Sequence, residues 1–224
     1  MRLLITNLWI VLFLICALIF SVWPGIDLSV SHRFYDPARG FYLAQGWWPQ
    51  FFYQLLGLKA LTLVAAFGLL FTGAFFLRRN GQLWRWRIIY LFLVLLLGPG
   101  LVVNVLLKEH WGRARPHQII QFGGTARFTP ALEPAQECPK NCSFASGHAA
   151  LGFYPLSLGF VFMRWRRFWL AAGMGIGGLA GYFRIIQGAH FLSDVVFAFF
   201  VVYGSAAMMH RVLRRRLLPA EAKA

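Results

Sequence analysis

Residues 88–116 read IIYLFLVLLLGPGLVVNVLLKEHWGRARP. The first twenty, Ile88–Leu107, carry no charged side chain, and Lys108, Glu109, His110, Arg113 and Arg115 follow at once. A helix of about 20 apolar residues crosses the hydrocarbon core of a bilayer. The stretch therefore predicts a transmembrane helix that ends on a short basic segment. Further apolar runs at Leu4–Trp23, Phe52–Leu77, Ala149–Met163, Trp169–Ile186 and Phe191–Met209 bring the expectation to six spans. In lipid only a helix or a closed barrel satisfies its own backbone polar groups. The fold class is accordingly all-α, a polytopic membrane protein, with residues 1–224 as a single transmembrane domain.

Composition agrees. Hydrophobic residues make up 59% of the chain and charged residues 13%, against about 25% charged in soluble domains. Mean hydropathy is +0.61. The net charge of +15 lies largely in short runs between apolar stretches, so nucleic acid is not an expected partner. The first run is long for a signal peptide, and no small-residue cleavage pattern follows Ser21-Val22-Trp23-Pro24, so it reads as a retained helix.

Lysine and arginine placement sets the orientation. One set of connections holds Arg2, Arg78, Arg79, Arg85, Arg87, Arg164, Arg166 and Arg167, and the tail adds Arg211, Arg214, Arg215, Arg216 and Lys223. Glu221 is the one acidic residue on that side. This face is expected to be cytoplasmic, with both termini inside. The opposite face holds Arg33, Arg39, Lys108, Arg113, Arg115, Arg127, Lys140 and Arg184, which need a separate reason. Trp47, Trp48, Phe51, Phe52 and Tyr53 read as an interfacial aromatic belt. Gly173, Gly177 and Gly181, four apart, read as a close helix-packing stripe. Lys59 lies within the second run and is expected to snorkel. Cys16 reads as a small core residue. Cys138 and Cys142 flank Pro139-Lys140-Asn141, and an oxidising compartment would permit a disulfide between them. No further ligands at suitable spacing point to a structural metal site there.

Three polar clusters fall at the outer ends of spans three to six. In the first, Lys108 and Arg115 are seven apart, and two helical turns would set them on nearly the same face before the break at Pro116. Two adjacent cations suit an anion between them, arginine as a bidentate fork and lysine as a point charge. The second cluster is Ser143-Phe144-Ala145-Ser146-Gly147-His148, at the start of span four. Gly147 admits a ligand to the backbone, the helix start offers N–H groups, and Ser146 adds a hydroxyl or caps the helix. His148 can protonate a leaving oxygen. The third is Arg184, His190 and Asp194. The histidine and carboxylate are four apart, hence on one helix face, where the carboxylate would fix the ring's tautomer. Helix counting puts all three clusters on one side. Two histidines, a carboxylate and several cations on one surface fit phosphoryl transfer, in which positioning and charge neutralisation carry the reaction.

These residues resemble the type 2 phosphatidic acid phosphatase (PAP2) superfamily, whose pattern is Lys-x6-Arg-Pro, Pro-Ser-Gly-His and Ser-Arg-x5-His-x3-Asp. The first motif is intact from Lys108 to Pro116; in the second Ala145 replaces proline; in the third Phe183 replaces serine. The motif region spans residues 108–194. The resemblance implies that His190 attacks phosphorus and forms a phosphohistidine, that Asp194 orients it, and that His148 protonates the leaving alkoxide and then activates water. Lys108, Arg115 and Arg184, with Ser146 and the Gly147 amide, would hold the phosphate oxygens. No metal and no cofactor are implied. The expected enzyme is a metal-independent phosphoric monoester hydrolase of a membrane lipid, sited in a bacterial inner membrane with its active site facing the periplasm.

Phe122-Gly123-Gly124, Cys138 and Asn141-Cys142-Ser143-Phe144 are similar to the bacterial branch that includes lipid A phosphatases. Lipid A, at its 1- or 4'-phosphate, is thus the leading substrate. Phosphatidylglycerophosphate and undecaprenyl (pyro)phosphate are the alternatives. A non-enzymatic lipid carrier using Lys59 and Asp194 would leave the spacing of Lys108, Arg115 and His148 unexplained. An intramembrane protease using Ser146 and His190 would have no use for the cations.

Overall fold

The computed structural model describes residues 2–56, 60–76 and 81–217. Among them regular structure is almost entirely helical, apart from a two-residue antiparallel pair, β1 (Tyr35–Asp36) and β2 (Gly40–Phe41). Helix α1 (Arg2–Val22) stops at Pro24, and α2 (Gly25–His32) leaves it at 81°. The predicted second span corresponds to α3 (Trp47–Leu56) and α4 (Ala60–Gly73). Lys59, together with Arg78, Arg79, Glu221 and Lys223 of the orientation reading, lies outside the described residues.

The quoted stretch lies in α5 (Gly81–His110), a continuous helix of 30 residues. Leu96–Leu107 within it is wound more widely, as a π-helix containing Pro99. Proline lacks an N–H and disrupts the regular ladder. The Asn104 side chain adds a further bond in this stretch, Nδ2 donating to the Pro99 carbonyl at 2.7 Å. The predicted fourth span is interrupted: α6 (Gly147–Phe153), a 3-10 turn (Tyr154–Ser157) and α7 (Leu158–Val161), with Pro155 in the turn. Two long helices follow, α8 (Arg166–Ile186) and α9 (Leu192–Leu217).

Three described helices are long and apolar enough to cross a membrane: Gly81–His110, Met163–Ile186 and Leu192–Leu217. The bent pair Leu8–Val22 and Gly25–His32 would make a fourth if it counts as one span. The predicted fourth run falls short of this because Pro155 breaks its helical ladder.

Helices α6 and α8 make the closest pairing, and α9 packs against α5 and α6. The glycine stripe explains the approach. A Cβ on Gly177 would lie 2.1 Å from Cδ1 of Phe153, and one on Gly181 would lie 2.3 Å from Cγ1 of Val195. Tyr90, fully buried, shares its hydroxyl between the carbonyls of Ser157 (3.3 Å) and Ala206 (3.2 Å), joining α5, the 3-10 turn and α9. Cys16 is half-buried against this core. Trp47, Trp48 and Phe51 are exposed, as an interfacial belt requires. Phe41, Ile119, Phe122 and Phe191 form a smaller cluster beneath the long 111–146 connection.

Candidate active site

The first cluster is built differently from the expectation. The helix carrying Lys108 ends at His110, and Gly112 turns the chain with φ +70°. A Cβ there would also lie 1.8 Å from the Ala135 carbonyl oxygen, so the turn needs glycine. Arg115 stands on extended backbone at φ −81°, ψ 156°. Lys108 and Arg115 therefore do not share a helix face. The reversal at Gly112, rather than helical periodicity, returns Arg115 to within electrostatic range of Lys108. Nη2 of Arg115 donates to the Asn141 carbonyl (2.8 Å) and to its side-chain Oδ1 (3.1 Å). Asn141 has φ +52°, a left-handed conformation that asparagine tolerates better than most residues. Cys138 and Cys142 are joined by a disulfide, so Asn141 sits inside a five-residue ring. The Cys142 amide donates to the Lys108 carbonyl at 3.0 Å, which pins the ring to the end of α5.

In the second cluster, Ser146 is the N-cap of α6, its Oγ accepting from the Ala149 amide at 3.4 Å. Gly147 is buried at the first turn. A Cβ on it would lie 2.9 Å from Oδ1 of Asn104 and 3.3 Å from Nζ of Lys108. The Lys108 ammonium thus lies over the N-terminus of α6, so a cation and the free N–H end of a helix face the same space. His148 follows on the same turn and is half-buried.

In the third cluster, His190 precedes α9, which begins at Leu192. His190 and Asp194 are therefore not one turn apart on a helix face. Asp194 lies in the first turn of α9, and its Oδ2 accepts from the Phe191 amide at 2.8 Å, the helix-capping half of a capping box. Nδ1 of His190 bonds the Ser143 carbonyl at 2.7 Å, whereas Asp194 Oδ2 is 3.6 Å away. A carbonyl oxygen only accepts, so Nδ1 carries the proton and the neutral ring presents a bare lone pair at Nε2. That Nε2 is buried and has no hydrogen-bond partner. Burial pushes the His190 imidazole down to about 3; Asp194 pulls the other way, and Arg184 and Arg115 lower it further. Arg184 is largely buried at the end of α8, with Nη1 donating to Oε1 of Gln187 at 2.5 Å. The Ser146 amide donates to the Asp194 carbonyl at 3.1 Å, so the starts of α6 and α9 meet and His148 and His190 rise from adjoining helix ends.

The arrangement sets an imidazole lone pair near three cations and a helix N-terminus. That set can bind a tetrahedral dianion and accept its phosphorus.

Four residues here were not legible as site residues. In the sequence Arg113 reads only as a cation on the unexpected face. It is fully buried, with Nη1 to Asp194 Oδ1 at 2.6 Å and Nη2 to Asp27 Oδ2 at 2.8 Å. Asp27, from α2, is 86 residues away in sequence and carried no motif. Ser143 and Asn141 sat in a quoted stretch without a role. Only the left-handed tolerance of asparagine and the cysteines around it could have drawn attention to Asn141.

Residues 87–218 match the family model described as the PAP2 superfamily. The chain is 32% identical over 212 residues to the lipid A 4'-phosphatase of Francisella tularensis subsp. novicida (strain U112), a match covering 88% of this chain and 90% of that protein. It is 47% identical over 103 residues to a lipid A 4'-phosphatase of Rhizobium leguminosarum, covering 46% of this chain and 44% of that protein. A Rhizobium etli lipid A 4'-phosphatase is 47% identical over 102 residues, covering 45% and 40% respectively. No solved structure matches.

Proposed function

The chain belongs to the PAP2 superfamily, and from that premise we propose that it removes the 4'-phosphate of lipid A through a phosphohistidine on His190. It is a lipid phosphatase; the substrate and mechanism are our reading. The observation that carries the mechanism is the buried, unpartnered Nε2 of His190, with Nδ1 committed to the Ser143 carbonyl. Nε2 attacks phosphorus as the P–O bond to the sugar breaks, and His148 gives its proton to the departing alkoxide. His148 then takes a proton from water, the water oxygen attacks the phosphohistidine, and phosphate leaves with His190 restored. Lys108, Arg115 and Arg184, with Ser146 and the Gly147 amide, hold the three non-bridging oxygens. These cations supply the charge that a metal provides elsewhere, and the reaction is metal-independent in this reading.

The substrate assignment rests on the three lipid A 4'-phosphatases it resembles. We propose six crossings with both termini cytoplasmic, in the bacterial inner membrane, and the site at the periplasmic face. The Cys138–Cys142 disulfide beside the site supports an oxidising compartment. The test is phosphate release from a detergent-solubilised panel: lipid A with either phosphate, phosphatidylglycerophosphate, and undecaprenyl phosphate and pyrophosphate, each with and without EDTA. Preferred release from the 4'-position, unaffected by EDTA and abolished in His190→Ala, is expected. Activity retained in His190→Ala overturns the nucleophile, and preference for another lipid overturns the substrate.

A further inference from the structure

Within the Lys-x6-Arg-Pro motif, two arginines stand two residues apart and do different things. Arg115 is half-exposed beside Lys108, whereas Arg113 is completely buried between two carboxylates. Its guanidinium is held by protein groups on three sides. Nε donates to the Thr129 carbonyl (2.9 Å), Nη1 to Ser193 Oγ (2.9 Å) and Asp194 Oδ1 (2.6 Å), and Nη2 to Asp27 Oδ2 (2.8 Å). Its guanidinium also lies 4.3 Å from the centroid of the Phe191 ring.

Asp27 completes the arrangement. Its Oδ1 accepts from the Ser193 amide at 2.9 Å and its Oδ2 from the Ser193 hydroxyl at 2.5 Å. The first turn of α9 thus has its free amides taken by two carboxylates, Asp27 from α2 and Asp194 from the helix itself, as a helix N-terminus favours. Arg113 bridges the two carboxylates, offsets one of their two charges and fixes their spacing. Ser143 links the cluster to the histidine at three points. Its amide donates to the Arg113 carbonyl (2.8 Å), its hydroxyl to Asp194 Oδ2 (2.5 Å), and its carbonyl accepts from His190 Nδ1 (2.7 Å).

We infer that Arg113 and its counter-ion Asp27 are positioning residues for the phosphatase reaction, setting the ring orientation and tautomer of His190 through Asp194 and Ser143 without touching phosphate. This rests on the reading of His190 as nucleophile. It gives α2 a task in the site and separates Arg113 from Arg115 in function. Misplacing a nucleophile by about 1 Å lowers a rate on the order of 100-fold.

The experiment compares full-length Arg113→Lys, Asp27→Asn, Arg115→Lys and His190→Ala in detergent. It measures kcat and KM for the lipid phosphate, and the inhibition constant for inorganic phosphate, on protein shown to be monodisperse with a cooperative melt. Asp27→Asn keeps the volume and one acceptor oxygen, so it holds the fold if Arg113→Lys does not. The expected result for Arg113→Lys and Asp27→Asn is a kcat reduced about 100-fold, with KM and phosphate inhibition within about twofold of wild type. Arg115→Lys should instead weaken phosphate inhibition. The inference is overturned if Asp27→Asn turns over within threefold of wild type, or if Arg113→Lys weakens phosphate inhibition as Arg115→Lys does. Activity in His190→Ala would instead defeat the underlying nucleophile reading, so the two failures are distinguishable.

Discussion

Reduction of the Cys138–Cys142 disulfide offers a quantitative test of how the proposed phosphate site is held. The ring it closes contains Asn141, whose carbonyl and side-chain oxygen both accept from Nη2 of Arg115, at 2.8 and 3.1 Å. Closing a five-residue loop removes about 2 kcal/mol of chain entropy from the open state on the loop-entropy model. If that is what holds Asn141 in its left-handed conformation, opening the ring shifts the local equilibrium by up to about 30-fold. The fold should suffer little, because the ring lies in the 111–146 connection outside the long helices, tied to the end of α5 by the Cys142 amide rather than by the disulfide. The Cys138→Ser/Cys142→Ser double variant, and wild type treated with a reductant, are therefore expected to weaken inhibition by inorganic phosphate by about 3- to 30-fold. Their melting temperature should stay close to that of the oxidised protein. Inhibition constants from a phosphate-release assay and a thermal melt of the same preparations measure both. Unchanged phosphate inhibition in the double variant would refute the idea that the ring positions Arg115. A large fall in melting temperature without it would show that the disulfide supports packing instead.

Helix packing and protonation give two more expectations. In Gly177→Ala the new methyl would overlap the buried Phe153 ring, so that ring or α8 must shift. An overpacking penalty of about 1–3 kcal/mol should lower the melting temperature while activity per folded molecule survives, and an unchanged melt would contradict the packing. His190 is neutral in the fold, its imidazole pushed down to about 3 by burial, against an ordinary value near 6.5. The unfolded chain therefore binds the extra proton first as pH falls below about 6.5, and stability is lost progressively from there toward about pH 3, by up to about 1.4 kcal/mol per unit. The melting temperature of wild type should drop between pH 7 and pH 4.5 more steeply than that of His190→Gln; equal slopes would reject it.

Much of this protein is written in its sequence. An uncharged run such as Ile88–Leu107 admits few structures in a bilayer, because every backbone group must be satisfied within the segment. Lys108, Arg115, Ser146, Gly147, His148, Arg184, His190 and Asp194 could each be picked out by residue type and spacing. Spacing misled where it assumed that helices run through their motifs. Lys108 and Arg115 come within electrostatic range because Gly112 reverses the chain, and His190 and Asp194 come together because one precedes the helix that the other caps.

Tertiary structure alone settled the fate of Arg113. Its neighbour Arg115 has the same chemistry two residues on, and local sequence does not distinguish them. The difference is made by Asp27, 86 residues away, and Asp194, 81 residues away, which reach Arg113 only when α2 and α9 pack together. A buried guanidinium is stable only where carboxylates and carbonyls surround it, and a chain carries no local signal of which distant side chains will do so.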